Sequence, residues 1–167
     1  AVLECLYSTG LRVSELCSLN RNAVDLERKE FAVRGKGKKL RIVFLSPRAA
    51  EYIYEYLQSR KDNYAPVFIS ASNRSAKIID ITGNGERFRL SRDTVEKVVQ
   101  KYRRNAGIIK NVTPHTLRHT FATELLKNGA DIRSVQEMLG HASITTTQIY
   151  THVTHGKLKE IHDRFHK

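Results

Sequence analysis

The sequence predicts a mainly α fold (α+β) with one small three-stranded antiparallel sheet. Three observations carry this expectation. Apolar residues recur at helical spacing near residues 1–9, 46–60, 91–105 and 113–139. Short alternating runs are confined to residues 22–45. Cap and stop residues punctuate the helical stretches, as in Ser46-Pro47, Thr113-Pro114 and Gly129.

The elements follow in order. Residues 1–9 (AVLECLYST) read as a helix with Val2, Leu3, Leu6 and Tyr7 inward, stopped by Gly10. Arg12 follows, then a short second helix with Ser14, Glu15 and the apolar Val13, Leu16 and Leu19. Glu15 stands three residues beyond Arg12, close enough to orient its guanidinium. Taken alone, such a pair is an ordinary surface ion pair; the Gly turn and buried helix beside it raise Arg12 above that. Ala23 to Leu26, Phe31 to Val33 and Leu40 to Phe44 supply the three strands. Between the last two lies the basic run Arg34-Gly35-Lys36-Gly37-Lys38-Lys39. A Gly-flanked hairpin lets backbone approach a sugar-phosphate chain and extend a Lys into it, although a solvated tip is the commoner meaning of such a run.

Ser46-Pro47 opens a helix to about residue 60 with Ala50, Ile53, Tyr54 and Leu57 as its stripe. Val67-Phe68-Ile69 is a short extended piece, and residues 70–90 are polar with a turn at Gly83-Asn84-Gly85. Ser91 caps a helix to about Asn105, with Val95, Val98, Val99 and Tyr102 inside and Lys97, Lys101, Arg103 and Arg104 opposite.

The densest stretch runs from Thr113 to Tyr150. Thr113 reads as an N-cap and Pro114 as the first helical residue. His115 and Arg118 then share a face near a helix N-terminus, whose free N–H groups and dipole suit a phosphate. Leu117, Phe121, Leu125 and Leu126 form the core face. Asp131 caps the next helix, which carries Val135, Met138 and Leu139 and ends at Gly140. His141, a Ser143 cap, a Thr-rich turn and Tyr150 follow. His115, Arg118, His141 and Tyr150 are thus expected to line one cationic pocket for a phosphate, with a hydroxyl nucleophile beside it. Beyond Tyr150, Leu158, Ile161 and Phe165 mark a short amphipathic helix.

Composition agrees. The chain has 167 residues, enough for one cored domain, and a net charge of +12 spread along its length. A folded basic domain usually meets a polyanion, most often nucleic acid. Two cysteines, Cys5 and Cys17, in no metal spacing suggest a reducing compartment, hence the cytoplasm. No apolar run reaches the roughly 18 residues of a membrane helix, and no signal peptide is visible. The single histidines His119 and His152 are read as structural or exposed, and His141, His152 and His155 fit no known zinc spacing. Residue 1 already lies in a helical pattern with no start signal.

HTLRH, LGH and a Tyr nine residues beyond that His resemble the signature of the tyrosine recombinases, also called phage-type integrases. TGLRVSEL resembles their first-Arg motif, and QIYTHVTHGKLKEIH is similar to Xer-type members in particular. The resemblance covers nearly the whole chain except residues 70–90. It implies a recombinase or type IB topoisomerase-like catalytic domain over residues 1–167, with a separate N-terminal DNA-binding domain missing. It implies the catalytic set Arg12, Lys36, His115, Arg118, His141 and Tyr150, where Lys36 matches the family's hairpin lysine. It implies double-stranded DNA in the nucleoid as partner, and a homo- or hetero-tetramer closed by the C-terminal tail. Neither metal nor ATP is implied, and Glu15 is the one carboxylate expected in the pocket. Lys38, Lys39, Lys101 and Arg104 are candidate DNA contacts. Two alternatives stay open: a DNA-relaxing topoisomerase, which would not exchange strands, and a basic binding module, which would need no nucleophile.

Overall fold

The computed structural model describes residues 1–35, 40–70, 83–141, 143 and 145–148. Its elements are helices α1 (Val2–Thr9) and α2 (Val13–Cys17), strands β1 (Val24–Asp25), β2 (Glu30–Arg34) and β3 (Leu40–Phe44), then helices α3 (Pro47–Gln58), α4 (Arg92–Asn105), α5 (Pro114–Lys127), α6 (Ile132–Leu139) and α7 (Thr145–Gln148). The mainly helical architecture with a three-stranded sheet is as expected. The sheet is antiparallel in the order β1-β2-β3, with Phe31 opposite Val43 and Val33 opposite Arg41.

Local chemistry sets the boundaries. Ser46 and Ser91 accept from the backbone N–H groups of Ala49 and Thr94 and so start α3 and α4. Thr113 accepts from Thr116 N–H, with Pro114 directly behind it, at the start of α5. Asp131 accepts from both Arg133 and Ser134 N–H groups at the start of α6. Gly10, at φ 61°, ends α1 in the left-handed conformation, and a Cβ there would lie 2.4 Å from the Phe121 ring. That position therefore needs glycine twice over, for its φ and for the close approach of α5.

The main core joins Leu6 of α1, Leu11 of the following turn and Leu16 of α2 to Phe31 and Val43 of the sheet, Ile53 of α3 and Val95 and Val99 of α4. A smaller one joins Ala122 and Leu126 of α5 to Val135 and Leu139 of α6. Several expected inward residues differ. Tyr7, Tyr54 and Tyr102 are exposed, Ala50 is buried as expected, and Cys5 and Ala49 are buried beside it. A tyrosine ring at the margin of a helical stripe keeps its hydroxyl in water, so the smaller residues take the tight interior. On α5 the buried positions are Pro114, Arg118, Ala122 and Leu126, while Leu117, Phe121 and Leu125 are half-buried.

In β3 the apolar majority does not face the core. Leu40, Ile42 and Phe44 face outward and are more than half exposed, while Arg41 and Val43 turn in. The expected extended piece at residues 67–69 is buried, with an isolated bridge between Ile69 and Arg89. After it, Phe88 stacks on Tyr64 at 5.0 Å between ring centroids. Residues 71–82, most of the polar segment, lie outside the described residues. Among the described residues, no helix is long and apolar enough to cross a membrane.

Candidate active site

The site is built around the end of α6. A helix leaves its last carbonyls without intrahelical partners, and its C-terminus is the negative end of the dipole. Three successive carbonyls there, those of Met138, Leu139 and Gly140, each accept from a different arginine. Arg41 Nε donates to Met138 at 3.0 Å, Arg118 Nη2 to Leu139 at 2.6 Å and Arg12 Nη2 to Gly140 at 3.2 Å. These cations come from β3, α5 and the start of α2, so one helix end gathers three distant parts of the chain.

Each guanidinium has a second anchor. Arg118 is buried and also donates from Nη1 to the carbonyl of Gly10, the residue that ends α1. Its charge therefore sits at the seam of α1, α5 and α6, with its plane set by two carbonyls. Arg12 donates from Nη1 to Glu15 Oε1 at 3.0 Å, and Glu15 Oε2 accepts from the Arg12 backbone N–H at 2.8 Å. Glu15 stands at the third position of α2 and reaches back to the residue before it. Arg41 completes the cluster with a two-pronged pair: Nη1 to Oε1 and Nη2 to Oε2, both at 2.8 Å. Both of its charged partners are nearly dry, at 9% exposure for the Arg41 side chain and 7% for that of Glu15.

Glu15 thus accepts four hydrogen bonds, two on each oxygen, the capacity of an ionised carboxylate. Burial pushes its carboxyl up, but the Arg41 bonds, the Arg12 N–H and the two nearby cations together hold it below the ordinary value. The expected role of Glu15, orienting Arg12, therefore holds in a wider form, because Glu15 orients Arg41 as well. Sequence reasoning missed Arg41 as a site residue. Its signal was a lone charge at the centre of an apolar strand, Leu40-Arg41-Ile42.

His141 follows the clamped carbonyls directly. Its backbone N–H reaches Gln136 O at 3.1 Å, and its Nδ1 lies 2.9 Å from the buried Thr147 hydroxyl of α7. Thr147 is a second residue missed from sequence, where the Thr run read only as a helical turn. Burial lowers the His141 pKa, and Arg118, Arg12, Arg41 and His115 lower it further, down to about 4. His115 itself is exposed on the first turn of α5, close enough to be felt at His141.

The structure thus brings together Arg12, Arg118, His141 and His115. Lys101 and Arg104 lie exposed on α4. Lys36, Lys38, Lys39, Tyr150 and the tail residues Leu158, Ile161 and Phe165 lie outside the described residues. Among the described residues, no group of three His, Cys, Asp or Glu side chains is placed to hold a metal ion.

A pH dependence follows. The folded His141 pKa lies below the ordinary 6.5, so the native state binds fewer protons there than the unfolded chain. The stability tied to neutral His141 is complete above the unfolded pKa and is lost as pH falls from 6.5 towards 4. Denaturant titrations across that window should show it, and His141→Asn should flatten that part of the profile. An imidazole that titrates at the ordinary value by NMR contradicts it.

The Phage integrase family model matches residues 1–157. The chain belongs to that family. Within it, the chain is 47% identical to the tyrosine recombinase XerD of Oceanobacillus iheyensis, covering 99% of this chain and 54% of the relative. It is 45% identical to the tyrosine recombinase XerC of Thermodesulfovibrio yellowstonii, again over 99% and 54%. The chain thus spans about half the length of these relatives. Among solved structures of this fold, a crystal structure of XerA recombinase matches with a TM-score of 0.77 and 40% identity, over 98% of this chain and 56% of that one. A XerH site-specific recombinase bound to a palindromic difH substrate after cleavage matches at 0.71 and 28%, over 99% and 45%.

Proposed function

We propose that this chain is the catalytic domain of a site-specific DNA recombinase that breaks and rejoins a strand through a phosphotyrosine. The observation that carries the reading is the cluster of Arg12, Arg118 and Arg41 on the carbonyls of residues 138–140, directly before His141. The names of the relatives favour a recombinase over a relaxing topoisomerase.

A phosphodiester resists attack because its oxygens are anionic. Arg12 and Arg118 supply fixed positive charge where negative charge builds in the transition state. Their anchoring to backbone carbonyls means little reorganisation is needed at that moment. His141, neutral near pH 7, serves as a hydrogen-bond donor to the phosphate rather than a charge. A Thr147 hydroxyl that donates to Nδ1 leaves the proton on Nε2 for that purpose. Tyr150 is the nucleophile. Free tyrosine has a pKa of about 10, so it needs a proton acceptor, and His115 takes that role. The Tyr150 oxygen bonds to phosphorus as the P–O5′ bond breaks, and Lys36 protonates the leaving 5′ oxygen. The 3′-phosphotyrosine keeps the energy of the broken link. Another strand's 5′-hydroxyl then reseals it, with neither metal nor ATP.

Lys38, Lys39, Lys101 and Arg104 contact the duplex backbone in this reading. The tail, with Leu158, Ile161 and Phe165, docks into a neighbouring protomer, so that four protomers close a ring on two duplexes.

Covalent capture tests the proposal. A duplex nicked close to the cleavage site should trap a protein–DNA adduct on a denaturing gel. Peptide mapping should place the DNA on Tyr150. An adduct on any other residue, or none on a site the protein demonstrably binds, overturns it.

A further inference from the structure

Resting on that reading, we propose that the connection between α4 and α5, residues 106–112, is a rigid DNA-contacting element in which Ile109 supplies an apolar contact and Lys110 a phosphate contact. The connection is stapled to α4 from one face. Arg103 Nη1 donates to the carbonyls of Ile108, Ile109 and Lys110 at 3.1, 3.0 and 3.3 Å. One helical turn earlier, Gln100 Nε2 donates to Asn111 Oδ1 at 2.8 Å and Val112 O at 2.7 Å. Gly107, at φ 68°, makes the bend that turns these carbonyls inward.

With its carbonyls inward, the middle of the segment leaves Ile108, Ile109 and Lys110 exposed, while Asn111 and Val112 turn back toward α4 and the core. Ile109 is 95% exposed, against 46% for Ile108 and 53% for Tyr102. A lone exposed apolar residue is ordinary on a protein surface. Ile109 differs because the backbone beneath it is fixed, so the side chain is presented rather than merely left over.

Charge identifies the occupant. No Asp or Glu occurs between Glu96 and Glu124, while Lys101, Arg104 and Lys110 in that interval are exposed. Exposed cations around one rigid apolar tip match a duplex, whose phosphates take the cations and whose sugars and thymine methyls accept an apolar side chain. A protein partner would more naturally meet a wider apolar patch. The segment also leads straight into Thr113 and Pro114, so it flanks the α5 N-terminus that carries His115 and Arg118. Contacts made here lie beside the proposed seat of the scissile phosphate.

The test is the affinity of the full chain for a labelled duplex of mixed sequence, measured across salt concentrations. Ile109→Ala should weaken binding about fivefold at every salt, with the slope of log affinity against log salt unchanged. Lys110→Gln should reduce that slope by about 0.9, one phosphate contact on duplex DNA. Neither should shift the thermal midpoint, since Ile109 and Lys110 are exposed. Wild-type affinity in Ile109→Ala together with an unchanged slope in Lys110→Gln overturns the proposal. So does loss of self-association in Ile109→Ala at unchanged DNA affinity, which would make the segment a protein contact. A wild-type chain that binds no duplex at low salt overturns the recombinase reading along with it.

Discussion

Tyr150→Phe is expected to form no covalent adduct with a nicked duplex, however long the incubation. The substitution keeps the ring and removes the one atom that bonds to phosphorus. Two hydroxyls among the described residues are poor substitutes for it. Thr147 faces His141 and is fully buried. Tyr7 hydrogen-bonds Glu124 on α5, and partial desolvation together with that carboxylate raises its pKa, away from nucleophilic use. Binding should survive. A single lost hydroxyl changes affinity by about tenfold at most, whereas removing the nucleophile removes the step itself. The contrast between intact binding and absent adduct is the informative result, read by gel shift and denaturing gel on the same samples. An adduct that persists in Tyr150→Phe assigns the nucleophile elsewhere and ends the proposed mechanism.

The reach of the sequence depended on whether the signal was local. Caps are local: Thr113-Pro114, Ser46-Pro47, Asp131 and Gly10 each act within a turn, and each stands where a helix starts or stops. The spacing of His115, Arg118 and His141 was legible for the same reason. The inward face of β3 was not. Its two faces read Leu-Ile-Phe and Arg-Val, and a period of two cannot say which one meets the core. The answer came from 26 residues upstream and 97 downstream, where Glu15 and Met138 accept from Arg41. The three carbonyls at the end of α6 were equally hidden, because every backbone carries carbonyls. Only the fold shows which of them are left for an arginine.

The Glu15–Arg41 pair makes the last expectation. Glu15→Ala should cost about 3–5 kcal/mol of unfolding free energy, because Arg41 would keep its charge in a nearly dry site without its counter-ion. Arg41→Lys should also be destabilising, since an ammonium cannot span both carboxylate oxygens. The pH profile distinguishes this pair from His141. The Glu15 pKa is held below its ordinary 4.5, so the stability it contributes is present above that value and is lost as pH falls further. That loss therefore begins at the lower edge of the window in which His141 acts and continues below it. Structural and catalytic roles separate in the double variant Glu15→Met with Arg41→Met. Replacing a buried ion pair by apolar side chains of similar volume is often neutral, so the double variant should recover much of the stability lost in either single one. Cleavage should stay depressed by about a hundredfold, because Arg12 would have lost the carboxylate that sets its guanidinium and the Met138 carbonyl its donor. Denaturant melts and single-turnover cleavage, measured on the same four proteins, decide it. If cleavage returns together with stability, the pair only supports the fold, and Arg12 is oriented without it.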